Sequence, residues 1–271
     1  MLHEEFDPPA ELREAIKCLW YNRRDFGARP CSFEVLPDGY AEIVFCFGSV
    51  ARDGVALPSP FMMGLLNQPV TFTTAGLLEI IGVRCYPWMV FDLLGLPSAK
   101  RSVHTFTHPI AQLQPVLAAR LQAGDLDAAL AELRRYLLQA HARLALDSML
   151  FKAGESMRKA HGAMPVSEVA AAAHATVRTL ERKFKQSSGH TVKDVSGLMR
   201  FEQVRNRLWS VPETSLSALA QELGYTDQSH LSREFKRYSG ATPAAFARAA
   251  RQGRQAAGDD FVAFVQAPRE D

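Results

Sequence analysis

Only four cysteines occur in 271 residues (Cys18, Cys31, Cys46 and Cys85), and no two of them form a Cys-x-x-Cys pair. That argues against both a disulfide framework and a thiolate zinc site, and favours reduced, buried thiols in a cytosolic protein. The first residues, Met1-Leu2-His3-Glu4-Glu5, are acidic and lack the apolar core of a signal peptide. No apolar run approaches the ~20 residues needed to span a bilayer. The expectation is a cytoplasmic protein with no membrane contact and no cofactor. A large net charge is also missing: the formal value is +2, too small for a protein that coats nucleic acid by charge alone.

The charge that exists is unevenly placed. Residues 160–255 carry 14 Lys/Arg against 8 Asp/Glu, whereas residues 1–159 carry 16 against 17. The basic excess coincides with a pattern that occurs twice. The first copy runs from Ser167-Glu168-Val169-Ala170 through a turn near Ala173-His174-Ala175 to Thr176–184, the stretch TVRTLERKF. The second runs from Ser217-Ala218-Leu219-Ala220 through Gly224-Tyr225-Thr226 to 227–237, DQSHLSREFKR. Each reads as a short helix, a tight turn and a second helix with a basic, polar outer face, as in a helix-turn-helix. Val169, Ala170, Leu180 and Phe184 supply the inner face of the first copy; Leu219, Ala220, Leu223, Leu231 and Phe235 supply that of the second. Asp227 stands where an acidic side chain caps free N–H groups. Residues 193–209, with Val195, Leu198, Met199, Phe201, Val204 and Leu208, predict a connecting helix about 25 Å long. Recognition helices in successive grooves of straight DNA lie about 34 Å apart, so a rigid connector of that length implies bent DNA or one weakly engaged unit.

The rest of the chain predicts an α+β protein. Residues 11–21 have Leu12, Ala15, Ile16 and Leu19 at helical spacing. Strands are expected at 33–36 and 41–47, joined at Pro37-Asp38-Gly39, and at 69–74 and 77–85 with a glycine turn between them. Together they suggest a small antiparallel, cupin-like barrel or sandwich with flanking helices. Leu126, Leu130, Leu133 and Leu137 form one stripe on a helix predicted to run to about residue 150. The stripe either packs on its own barrel or joins a second copy of the chain in a homodimer. The domains read as 1–153, a small, polar linker at 154–164, 165–252 and a tail at 253–271, whose 261–265 run is a returning strand or a loose end.

Residues 165–251 resemble the AraC/XylS family of transcriptional regulators. The run from Ala220 to Arg237, followed by Gly240-Ala241-Thr242-Pro243, is close to that family's signature. The first unit is one residue shorter, with ten positions from Ala170 to Leu180 against eleven from Ala220 to Leu231. The resemblance implies a C-terminal all-α domain of two helix-turn-helix units on double-stranded promoter DNA, with RNA polymerase as a further partner and no enzymatic activity. It places Arg178, Glu181 and Arg182, and Gln228, Ser229 and Arg233, towards the bases, with Thr179, His230 and Ser232 beside them; Lys236 is expected to contact phosphate. Arg, Gln and Glu suit guanine, adenine and cytosine edges respectively. Two departures are expected to weaken the first unit: Ala173 in place of the turn glycine, and Val192 where a proline often follows the Gly189 turn.

Residues 33–45 and 82–87 are similar to a poorly characterised N-terminal domain of some family members, implying a β-rich sensor of a small-molecule effector. Tyr40, Glu42, Arg84 and Trp88 are candidates to line its pocket; the alternative is that Arg84 pairs with Glu42 or Glu79. His104 and His108, four apart, could hold a metal, although a structural or surface role fits better without a nearby carboxylate or thiol. Two other functions compete. One is a DNA-repair alkyl acceptor that uses an activated cysteine, with Cys85 beside Arg84 as the candidate. The other is a protein-interaction module in the N-terminal half.

Overall fold

The computed structural model describes residues 2–98, 100–142 and 147–255, with side chains to 252. The N-terminal half is one antiparallel sheet built on a long central strand. Its strands are β1 (Leu2–Phe6), β2 (Ile16–Asp25), β3 (Cys31–Val35), β4 (Ala41–Arg52), β5 (Val55–Ala56), β6 (Phe61–Met63), β7 (Val70–Cys85) and β8 (Val103–His104). The order is β1-β2-β7-β4-β6-β8, with β3 also on β7 and β5 on β4.

Both faces of this sheet are buried. One encloses a core made of strand and loop residues alone, among them Trp20, Phe33, Val44, Phe61 and Phe72. The other, with Leu19, Ile43, Phe45, Ile81 and Val83, joins a core that runs on into the helices. This double burial explains the main departure from the sequence reading. Residues 11–21 are not a helix: Ala10–Leu12 is a single 3-10 turn, and β2 follows. Leu12, Ala15, Ile16 and Leu19 do share one core, so their spacing mimics a helix. Cys18 and Trp20 fill the opposite one, and a strand covered on both sides shows no alternation.

Residues 69–74 and 77–85 are likewise one strand rather than two. Gly76, at φ +72°, does not reverse the chain; it is the point where β7 changes partner. Leu77–Cys85 pairs with β2 and Val70–Thr74 with β3. Gly76 itself bonds to Phe26 and Gly27 at the corner between those partners.

Four helices cover the sheet: α1 (Val90–Leu94), α2 (Leu113–Gln122), α3 (Leu126–His141) and α4 (Ser148–Lys159). The Asp125 carboxylate caps α3 by accepting from Ala128 N at 2.9 Å. The predicted leucine stripe is used within the chain: Leu130, Leu133 and Leu137 are fully buried, with α3 packed on α1, α2 and the 3-10 turn. It is not available for a second copy. The helix also stops at His141 instead of continuing to 150. The expected linker is half helical, because Gly154 to Lys159 is the second half of α4.

The C-terminal half is all helix: α5 (Val166–Ala172), α6 (Val177–Ser188), α7 (Val192–Ser210), α8 (Leu216–Glu222), α9 (Gln228–Ser239) and α10 (Pro243–Gln255). The 261–265 run lies outside the described residues. Among those described, no helix is long and apolar enough to cross a membrane.

Candidate nucleic-acid interface

Each predicted recognition helix forms because its ends are satisfied and its inner face is apolar. Helix α6 starts at Thr176, whose Oγ1 accepts from Thr179 N at 3.2 Å. Helix α9 starts at Asp227, whose carboxylate accepts from His230 N at 2.7 Å, so the predicted cap is present. Both end in a left-handed glycine, Gly189 at φ +76° and Gly240 at φ +74°. Leu180 with Phe184, and Leu231 with Phe235, are buried at i and i+4 and fix each helix against its partner.

The left-handed turn residue of the first unit is His174, at φ +52°; Ala173 is an ordinary helix end at φ −87°. Counted from Ala170, His174 matches Gly224 (φ +70°) counted from Ala220. The missing residue falls after that point, between the turn and the cap. The first unit is as completely formed as the second. Val192 serves as a buried first-turn residue of α7, behind a Thr191–Asp194 capping box.

Aligned on Leu180 and Leu231, the two helices present the same exposed stripe. In α6 it is Arg178, Arg182, Lys185 and Gln186; in α9 it is Ser229, Arg233, Lys236 and Arg237, with Gln228 preceding them. These residues sit at i, i+4, i+7 and i+8, one side of a helix. Lys185, Gln186 and Arg237 were not singled out from the sequence, although the i+7 and i+8 spacing from Arg178 and Ser229 carries that signal. Thr179 and Ser232 are half-buried at the edge of the stripe. One residue expected to face the bases, Glu181, and one expected beside them, His230, are engaged within the protein. The Glu181 carboxylate accepts from Val192 N at 3.3 Å, bracing α6 against α7. His230 stands edge-on to Tyr225, 5.3 Å between ring centroids, and its Nδ1 accepts from Thr226 N at 3.5 Å. That arrangement shapes the turn.

Helix α7 joins the units. Its 19 residues make about 28 Å at 1.5 Å each, slightly longer than the sequence reading gave. Arg200 ties it to the second unit through Glu234 Oε1 and Oε2, both at 3.2 Å, and stands over the Tyr225 ring at 5.1 Å.

Three of the four candidate effector residues, Tyr40, Glu42 and Arg84, line one small space, and Trp88 is not part of its lining. Arg84 is buried and donates to Glu42 at 2.8 Å, with Glu5 at 3.4 Å and Asp38 at 3.8 Å. Pairing with Glu42, one of the two alternatives, is what occurs; Glu79 bonds instead to Tyr21 and Arg23. Burial opposes the charge on Arg84, but the surrounding carboxylates hold its pKa above the ordinary value. The space beside it is about 10 Å³, no more than one water needs. Trp88 is 1% exposed and wedged between domains: its ring centroid is 5.7 Å from that of Phe184. A Cβ on Gly154 would come within 2.1 Å of it, so only glycine fits there.

His104 and His108 have separate structural surroundings. His104 meets Phe91 edge-on at 5.8 Å, and His108 Nδ1 caps a 3-10 turn by accepting from Ile110 N at 3.2 Å. Burial lowers both pKa values. The thiols are pushed the other way. Burial raises Cys18 and Cys46 to about 12 and Cys85 further, despite Arg84 next to it in sequence.

Residues 169–249 match a family described as a helix-turn-helix domain, and residues 4–123 match a domain of unknown function (DUF6597). No curated protein matches the chain. Among solved structures, ToxT from Vibrio cholerae is similar at 11% identity and a TM-score of 0.45, over 85% of this chain and 98% of that one. The C-terminal domain of AraT, a response regulator from Geobacillus stearothermophilus, is 23% identical with a TM-score of 0.36, over 39% of this chain and 88% of that one. The DNA-binding domain of AdpA, solved with a target DNA, is 25% identical with a TM-score of 0.37, over 41% and 98%. The match at 169–249 falls on the two capped units described above; this segment is a helix-turn-helix domain.

Proposed function

We propose that the chain reads promoter DNA sequence-specifically, placing α6 and α9 in two adjacent major grooves under the control of a small molecule or partner at the N-terminal half. The observation that carries this reading is the repeated stripe: Arg178, Arg182, Lys185 and Gln186 on one helix, Ser229, Arg233, Lys236 and Arg237 on the other, each exposed at matching positions. Arg182 and Arg233 occupy the same position in the two helices and suit bidentate pairing with guanine, while the lysines suit phosphate. A connector of about 28 Å against a groove repeat of about 34 Å favours DNA bent towards the protein.

For the effector, a cleft of adequate size lies among the described residues of the N-terminal half. It measures about 430 Å³ and is lined by Asp92, Leu94, His108, Tyr136 and Gln139 among others, within the range that holds small ligands. The strand-only core leaves about 20 Å³, too little for any metabolite. A non-enzymatic role fits the cysteines, since an alkyl acceptor needs a thiolate and burial keeps Cys85 protonated.

Selection of genomic fragments by the full-length protein at physiological salt tests the proposal. The expected result is a motif of two elements about one helical turn apart. Binding that is sequence-blind and lost with salt would overturn it.

A further inference from the structure

The residues that looked like a pocket belong to a continuous row of side chains. Arg84 stands over Tyr40 at 5.6 Å. Tyr40 lies 6.0 Å from Tyr86, Tyr86 is stacked on Trp88 at 5.3 Å, and Trp88 meets Phe184 of the first recognition helix at 5.7 Å. Beside the end of this row, Lys183 Nζ bonds to Asp147 Oδ2 at 2.7 Å, joining α6 to the start of α4. A second contact leaves the same β3–β4 turn. Arg205 of α7 is 2% exposed and donates to Pro37 O at 3.1 Å, across 168 residues of sequence. A Cβ on Gly39 would lie 3.4 Å from Met199 Cγ, also of α7. Asp38 holds the turn from within, accepting from Tyr40 N at 3.0 Å.

The two units are therefore held differently. Helix α6 packs on α1 and α4 of the N-terminal half as well as on α5 and α7, whereas α9 and α10 pack on α7 and on each other and α8 packs on α9.

We propose that Trp88 and Asp147 are positioning residues for DNA reading: together with the β3–β4 turn they orient the first recognition helix, while the second takes its orientation from α7. A change at that turn reaches the first unit through Tyr40, Tyr86 and Trp88 to Phe184, while Pro37 and Arg205 fix the turn against α7. This inference rests on the two-groove reading above, so one arm of its test needs no DNA.

The test uses the full-length protein with Asp147→Asn, which keeps the cap on α4 and removes the ionic partner of Lys183. Trp88→Leu is the stronger variant. In the first arm, amide hydrogen exchange of the free protein is compared across 177–188 and 228–239. The expected result is exchange about threefold faster in the first helix for Asp147→Asn, a partly exposed ion pair, faster still for Trp88→Leu, and no change in the second helix. The second arm uses the selected two-element DNA and the same DNA with the first unit's element scrambled. Asp147→Asn should bind the intact site about threefold more weakly and the scrambled site as the parent does. Lys183→Gln should give the same loss, and combining it with Asp147→Asn should add nothing. Equal acceleration in both helices would mean general destabilisation, and unchanged exchange in 177–188 would mean that the N-terminal half does not position α6. Either result overturns the inference, whatever DNA the protein selects.

Discussion

Removing Arg84 tests whether it senses a ligand or anchors the fold, because the two roles predict losses of different kinds. Its side chain is 3% exposed and that of Glu42 7%, with 2.8 Å between them. At an effective dielectric constant of about 20, unit charges at that separation attract by roughly 6 kcal/mol. Desolvation of both groups cancels much of that, so the intact pair contributes little net stability. Arg84→Ala does not restore the cost. It leaves Glu42 buried with Asp38 and Glu5 still nearby, and burial already pushes the Glu42 pKa upward with Arg84 present. The expected loss is about 3–5 kcal/mol, a large part of the ~5–15 kcal/mol that holds a domain together. Arg84→Met combined with Glu42→Leu removes both charges at similar volume and should lie within roughly 1–2 kcal/mol of the parent. Urea unfolding followed by tryptophan fluorescence measures both. A single variant that loses less than about 1 kcal/mol, or a double variant as damaged as the single, would refute the buried-anchor argument and return Arg84 to the candidates for ligand contact.

Three further predictions concern the C-terminal half. Arg233→Ala should cost ~1–3 kcal/mol of binding and relax specificity at one base position, whereas Lys236→Ala should weaken all sequences alike and flatten the salt slope; selection and salt titration on each variant separate the two. His174→Gly should stabilise the protein by roughly 0.5–1 kcal/mol, since it relieves a left-handed residue at φ +52°, and thermal unfolding reads this directly. His190 is buried, which lowers its pKa; Asp194 opposes that shift and Lys100 adds to it. The unfolded chain thus binds more protons below about pH 6.5, and stability conferred by the neutral ring should fall as pH drops from there. His190→Gln should flatten that acid limb, though not abolish it, because His104 and His108 are shifted in the same direction.

The C-terminal half was legible because its helices are amphipathic and short-range. Leu180 with Phe184 and Leu231 with Phe235 bury one face each, and the opposite face is free to be polar, so spacing alone finds both elements and their register. The ten-against-eleven offset could be counted from the sequence. Assigning the turn position to Ala173 was an error of one residue, which the matching count to Gly224 corrects. The N-terminal half hid the same information. Strand β2 supplies Leu19 and Tyr21 to one core and Cys18 and Trp20 to the other, and nothing in a continuous apolar run separates such a strand from a helix. Gly76 sat where a turn was expected, yet its role, changing the partner of β7 from β2 to β3, depends on strands fifty residues away.

The candidate pocket shows where local reading stops. An arginine in an apolar strand, beside a glutamate and two aromatics, is unusual whichever way it faces, and the sequence marks it correctly as special. Whether such a group meets a ligand or the rest of the chain depends on partners such as Phe184, a hundred residues on. Here the chain meets itself: Glu42 takes the charge, and Tyr40, Tyr86 and Trp88 continue to α6. That contact also gives the duplicated domain an asymmetry its sequence does not carry. Two units with nearly the same internal packing differ in what lies behind them, the N-terminal half on one side and a connector helix on the other. In the proposed reading, a signal from the N-terminal half alters the reading of one DNA element while the other remains a fixed point of attachment.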